Sequence, residues 1–232
     1  LVMRSLTAFV VILLSTGSFT SVNGLQSHCL VSNSTNCGRP ATELPLRIDG
    51  RSCTSFCLED NGHAVFGSSY DNDIPDGMVF INKRGVIKSG FMPGTTGQVA
   101  RWTSKYASVT FTVVGHQLAW AGMNEKGLVM STMALGETQN PSLDERAPLH
   151  SPHWMQYMLD NCSSVTDIVA ADSLVRIFET VDHYLVSDGT GDCAVIEFLN
   201  GQMVMHAGHS LPVAARSEEH TSELQSRQFI SY

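Results

Sequence analysis

The sequence predicts an α+β sandwich built mainly from antiparallel sheets. Short apolar runs separated by turn residues fill the stretch from Cys53 to Leu135. Two helical patterns follow between Ser151 and Leu174, and three more strand-like runs come after them. Strands, then helices, then strands is the order of segregated α+β layers, not of alternating βαβ units.

Each element has its own signal. Cys53 to Asp71 opens with a sulfur nucleophile and an apolar run. Asn61-Gly62, the strongest short hairpin signal, then leads into a second run, Ala64-Val65-Phe66. Such a hairpin returns the chain to its start, which brings the carboxylate of Asp71 close to the thiol of Cys53. Met78 to Ile81 is the next strand and turns at Asn82-Lys83-Arg84-Gly85, while Phe91 to Gly97 reads as a loop. In Ser108 to Val114, Val109, Phe111 and Val113 alternate with polar or small residues, the pattern of a half-buried strand. Leu118 to Met123 and Leu128 to Leu135 are two more strands, joined by the turn sequence Asn124-Glu125-Lys126-Gly127. Ser151 suits a helix N-cap and Pro152 the first helical position, with Trp154, Tyr157, Met158 and Cys162 on one face. Ser164 with Asp167 resembles a capping box opening a second helix. His183 to Ser187, Cys193 to Leu199 and Gln202 to Met205 are the closing strands, the last two joined by Asn200-Gly201.

The ends read differently. Arg4, the apolar run Leu6 to Leu14 and the small residue of Val22-Asn23-Gly24 have the form of a secretory signal over residues 1–24. The run is too short to cross roughly 30 Å of hydrocarbon, so a removed leader is expected rather than an anchor. Residues 25–52 are polar and turn-rich, a linker or propeptide. Arg216 to Ser226 reads as the in-frame translation of a sequencing adapter. A non-native tail over 216–232 is therefore expected, and the domain at 53–215 is expected to be incomplete.

With 232 residues and a net charge of −8, the chain suits one medium domain. The acidic balance argues against a nucleic-acid partner. Six cysteines in an exported chain invite a disulfide reading, with Cys29 and Cys37 the first candidate pair. A catalytic Cys53 must stay a thiol, which leaves one other cysteine over. Cys53 and Cys57 share one face of a strand, so they are not expected to bond to each other. The sequons at Asn33 and Asn161 fit surface glycosylation. His150 and His153 flank a helix start with no third ligand, so no metal is expected.

Several pieces together resemble the choloylglycine hydrolase and penicillin V acylase family, the linear amide C–N hydrolases. They are Cys53-Thr54-Ser55-Phe56, Gly67-Ser68-Ser69-Tyr70-Asp71, Trp102 to Tyr106 with Ser108 to Phe111, Gly122 to Leu128, and His183 to Val186 with Val195-Ile196-Glu197. The resemblance implies an N-terminal-nucleophile (Ntn) hydrolase fold, an αββα four-layer sandwich, here truncated at its C-terminal side. It implies that the Ser52–Cys53 bond is cut, that the Cys53 thiol attacks an amide carbon, and that its new α-amine is the general base. Asp71 matches the aspartate that orients amine and thiol. Ala134 aligns with the backbone N–H donor to the oxyanion, and Asn124 with a residue that shapes a loop. No cofactor is implied, and the partner is a small-molecule amide.

The chain departs from the family pattern in two places. Ser68 stands where the family usually has an arginine beside the thiol. The side-chain oxyanion asparagine and a later arginine fall beyond the point where the adapter-like tail begins, so the chain as written is expected to be nearly inactive. The expected function is an exported amidase cutting a linear-amide C–N bond. The alternative is a secreted, non-catalytic binding glycoprotein on the same scaffold.

Overall fold

A computed structural model describes residues 8–14, 53–60, 63–70, 77–90, 99–208 and 213–216. In chain order the strands are β1 (Ala8–Leu14), β2 (Cys53–Asp60), β3 (His63–Tyr70), β4 (Met78–Asn82), β5 (Ile87–Ser89), β6 (Arg101–Thr103), β7 (Ser108–Thr112), β8 (Ala121–Asn124) and β9 (Val129–Ala134). There follow β10 (Ala147–His150), the helices α1 (Ser151–Asn161) and α2 (Val165–Ala171), then β11 (Val175–Phe178), β12 (Asp182–Ser187), β13 (Cys193–Leu199), β14 (Gln202–Gly208) and β15 (Val213–Arg216). No helix among the described residues is long and apolar enough to cross a membrane.

Two sheets dominate. The larger has seven strands in the order β14-β13-β12-β9-β8-β7-β4, and the smaller has four in the order β1-β3-β2-β15. Every pairing within them is antiparallel. The period of two along each strand sorts residues to two cores. Tyr184, Val186, Ile196 and Phe198 face the helices, where Trp154, Met158, Leu159 and Ile168 meet them. Val129, Met133, Leu185 and Val195 point the other way, onto Cys53, Cys57, Phe66 and Tyr70 of the smaller sheet. The described residues thus form three of the expected layers: helices, large sheet, small sheet. The apolar run at Ala8–Leu14, read above as part of a leader, pairs along β3.

Turn chemistry sets the joints. At Asn200-Gly201 both residues have positive φ, 51° and 76°, the geometry a two-residue hairpin loop requires. At the β8–β9 turn, Asn124 Oδ1 accepts from the backbone N–H of Lys126 (3.0 Å) and Leu128 (3.1 Å). Its Nδ2 donates to the carbonyls of Leu159 (2.9 Å) and Cys162 (2.7 Å) at the end of α1. One buried amide therefore ties the turn to the helix layer, the loop-shaping role expected of it. Asn124→Ala is expected to cost about 2–3 kcal/mol by orphaning those groups, read as a lower denaturant midpoint with unchanged slope.

Three sequence expectations are corrected. The N-cap of α1 is His150, not Ser151, and Pro152 follows at the second position. Ser151 is buried and its hydroxyl is spent on Asp182 Oδ2 and Tyr184 OH, both at 2.6 Å. The extended strand β10 runs up to His150, parallel to β11, and delays the helix by one residue. In β7 the buried side is the polar one: Ser108, Thr110 and Thr112 are inside, while Val109 is 38% exposed. Asn82 Nδ2 donates to Thr110 Oγ1 at 3.0 Å, so the inward hydroxyl is satisfied. The second helix opens as expected, with Ser164 accepting from the Asp167 N–H, but ends at Ala171, short of Leu174.

Candidate active site

The hairpin around Cys53 forms as its sequence requires. β2 and β3 pair from Cys53 opposite Tyr70 to Asp60 opposite His63, leaving two residues for the connection. Gly67 is needed on the outer face: a Cβ there would collide with the ring of Phe56, which covers it. On the inner face stand Cys53, Ser55 and Cys57, all buried. Cys53, the first residue of β2, is 8% exposed and carries its sulfur as a thiol.

A ladder of hydroxyls lies beside it. Ser131 Oγ donates to Ser55 Oγ at 2.7 Å, and Ser55 Oγ shares a hydrogen bond of 2.9 Å with Ser68 Oγ. Ser68 therefore fills the position where an arginine was expected with a buried, neutral, paired side chain. Tyr70 OH donates to the Trp120 carbonyl at 2.6 Å, and the two rings are 6.0 Å apart. Burial pushes the Tyr70 phenol well above the ordinary tyrosine range, against the pull of its hydroxyl neighbours. The raised value keeps the phenol neutral through the physiological range, so it acts as a donor and not as a base. The bond is present below the ordinary tyrosine pKa and is lost only as pH rises well beyond it. Thr132 N–H also bonds the Trp120 carbonyl, at 2.9 Å. Tyr70→Phe is thus expected to cost only about 0.5–1.5 kcal/mol and to leave any pH–rate profile in place, checked by denaturation and by the profile itself.

Contacts between the sheets place the other candidates. Cys57 Sγ lies 3.5 Å from Ser187 Oγ, and Ser55 meets Ser131, which pairs with Leu185. Stepping two residues further along β2 and β9 brings Cys53 toward Met133, with which it shares the inter-sheet core. Ala134 follows Met133, closes β9 and stands opposite Asp182. Cys53 and Ala134 therefore sit at the same end of the sandwich. Asp71 follows Tyr70 in the chain and lies outside the described residues, as do Asn61-Gly62, Cys29 and Cys37.

Sequence reasoning gave no role to Ser55, Ser131 or Tyr70. Ser55 and Tyr70 were legible only as inward positions two and seventeen residues from the nucleophile. Ser131 comes from a different sheet, and nothing local marks it. His183 and Glu197, noted above only as parts of a motif, face the same inter-sheet side. His183 is buried with Nδ1 3.6 Å from Glu197 Oε1, and Glu197 Oε2 lies 3.2 Å from His206 Nε2. Among the described residues no group of three His, Cys, Asp or Glu side chains is arranged to hold a metal.

Comparison with known proteins matches this arrangement. The family of linear amide C–N hydrolases, choloylglycine hydrolase family, matches residues 53–229, beginning at Cys53. A penicillin V acylase from Pectobacterium atrosepticum is 30% identical over 150 residues, 56% of this chain and 40% of that protein. The solved structure of penicillin V acylase from Agrobacterium tumefaciens superposes with a TM-score of 0.54 at 27% identity, over 68% of this chain and 49% of that one. Conjugated bile acid hydrolase from Clostridium perfringens gives the same TM-score at 20% identity, over 68% of this chain and 51% of that one, a likeness of fold. This chain spans about half or less of each relative's length. These relatives share the Ntn-hydrolase sandwich, and the chain belongs to the choloylglycine hydrolase family of linear amide C–N hydrolases.

Proposed function

We propose that the full-length protein is an exported amidase that hydrolyses the C–N bond of a linear amide with Cys53 as nucleophile. The observation that supports this most is the place of Cys53: first in an inner strand, at the sandwich end that also holds Ala134. Cutting the Ser52–Cys53 bond frees an α-amine with a pKa of about 7.7–8.0, suited to take and return a proton near neutrality. The amine takes the thiol proton as sulfur attacks the amide carbon. The tetrahedral oxyanion is received by the Ala134 N–H, and the proton passes to the departing amine. Water then opens the thioester by the same route in reverse. Asp71 orients the amine. Residues 1–24 act as the leader, and their removal leaves β3 at the edge of the smaller sheet.

The relatives are named for penicillin V and conjugated bile acids, and the proposed substrate class is an N-acylated small molecule of that kind. A neutral Ser68–Ser55 pair beside the thiol, in place of a cation, also favours a second reading: a secreted binding protein on the same scaffold. Assay of the full-length protein against a panel of penicillin V, bile-acid conjugates and fatty acyl amides separates the two. The amidase reading expects release of the amine from at least one class, blocked by prior alkylation of Cys53. No release from any class, with Cys53 intact and unreactive, would favour the binding reading.

A further inference from the structure

Two buried thiols in the inter-sheet core are not used by the chemistry above. Cys57 is the third inner-face residue of β2 and is fully buried; Cys193 opens β13 and is 2% exposed. Ser187, which touches Cys57 Sγ at 3.5 Å, stands directly opposite Cys193 across β12 and β13. Cys57 and Cys193 belong to the same buried inter-sheet cluster, and each carries a free thiol. The neighbouring Cys193 thiol, with a smaller effect from Ser187, lowers the Cys57 pKa to about 7 despite burial, while Cys57 and burial raise that of Cys193.

The other described cysteines are placed differently. Cys162 packs on the helix side with its sulfur 3.7 Å from Met158 Sδ, and burial pushes its thiol up to about 12. Cys53 lies four residues along the same strand from Cys57, roughly 13 Å at the rise of a β-strand, too far for a bond between them.

We propose that Cys57 and Cys193 close into a disulfide that fastens the strand carrying Cys53 to the large sheet. An S–S bond of about 2.05 Å would join two side chains that already meet around Ser187 in one buried cluster. The bond forms as the sheets close during folding, with a small-molecule disulfide such as oxidised glutathione as oxidant. Cys57 thiolate attacks one glutathione sulfur and releases the first glutathione thiolate. Cys193 then gives up its proton to that thiolate and displaces the second glutathione from Cys57. Two S–H bonds become one S–S bond, and two electrons leave with two molecules of glutathione. The pair also resolves the cysteine arithmetic: with Cys29–Cys37 and Cys57–Cys193 joined, Cys53 and Cys162 are the two thiols left.

The setting rests on the export reading above, but the test needs no activity. The full chain is refolded with reduced and oxidised glutathione, alkylated and digested without reduction. A cross-linked peptide pair containing Cys57 and Cys193 is expected. Thermal unfolding is expected to shift up by roughly 5–15 °C relative to the reduced chain. Cys162→Ala should keep both results, and Cys193→Ala should lose both. Should Cys193→Ala fail to fold, the map of the unmutated chain alone decides. Cys57 recovered as a thiol, as a glutathione adduct, or joined to any other cysteine would overturn the proposal. Failure of the amidase reading would show separately, as an unreactive Cys53 in a chain that still forms the bridge.

Discussion

Replacing Cys53 with alanine in the full-length protein is expected to abolish two events at once. Turnover falls by on the order of 10⁶, the loss seen when an activated nucleophile is removed outright. The Ser52–Cys53 bond also stays intact, because the same sulfur makes both attacks. Cys53→Ser separates the steps. A hydroxyl is a far weaker nucleophile at neutral pH than a thiol, so partial self-cutting with little amide turnover is expected. Intact mass and an amine-release assay, run on the same samples, read both outcomes. The substitution should cost the fold little, because Cys53 lies at the start of β2 and only its sulfur is lost from the inter-sheet core.

Asp160→Ala is expected to give the largest loss of stability. The Asp160 carboxylate is fully buried in α1 and holds three donors: Lys88 Nζ at 2.9 Å, Trp102 Nε1 at 2.7 Å and Gln156 Nε2 at 3.0 Å. Through them the β5–β6 pair is tied to the helix layer. Removing the acid leaves the ammonium of Lys88, itself buried, with no opposite charge, at a cost of about 3–5 kcal/mol. Burial nevertheless dominates the carboxyl itself and pushes its pKa above the ordinary range, against Trp102, Lys88 and Gln156. A raised folded value means this carboxyl favours folding most at low pH and less as pH rises through that value. Ionisation of this carboxyl is therefore opposed by its burial, and an apolar pair of similar volume is expected to serve the fold as well. Lys88→Met with Asp160→Leu should recover most of what Asp160→Ala loses, measured by urea unfolding. A double variant as unstable as the single one would show that the ion pair itself carries the stability.

What the sequence revealed follows the range of the forces involved. The Cys53 hairpin was legible because a two-residue Asn-Gly turn and the period of two are both local. The strands it predicted pair with Cys53 opposite Tyr70. Alternation in β7 was also legible, but not which side faces in. The inward Thr110 is satisfied by Asn82, which comes from a different strand and is out of reach of any local pattern. Ser151 read as a cap because capping is a local preference, and it lost to a tertiary one, the bonds to Asp182 and Tyr184. Strands of three or four residues, such as β5, β6, β10 and β11, are too short to show a period at all. The Ser55–Ser131 bond and the Cys57–Cys193 contact join residues far apart in the chain, and no spacing rule reaches them. Of the candidate site, the nucleophile and its strand were legible, while the place of Ser131 in the hydroxyl ladder beside it came only from the stacking of two sheets.

The most direct test is the N-terminal mass of the mature full-length protein. Self-cutting before Cys53 predicts a chain that starts at that residue, with its α-amine exposed and its thiol taking up one equivalent of iodoacetamide. A mature protein that turns over an amide while the bond between Ser52 and Cys53 remains unbroken would contradict it.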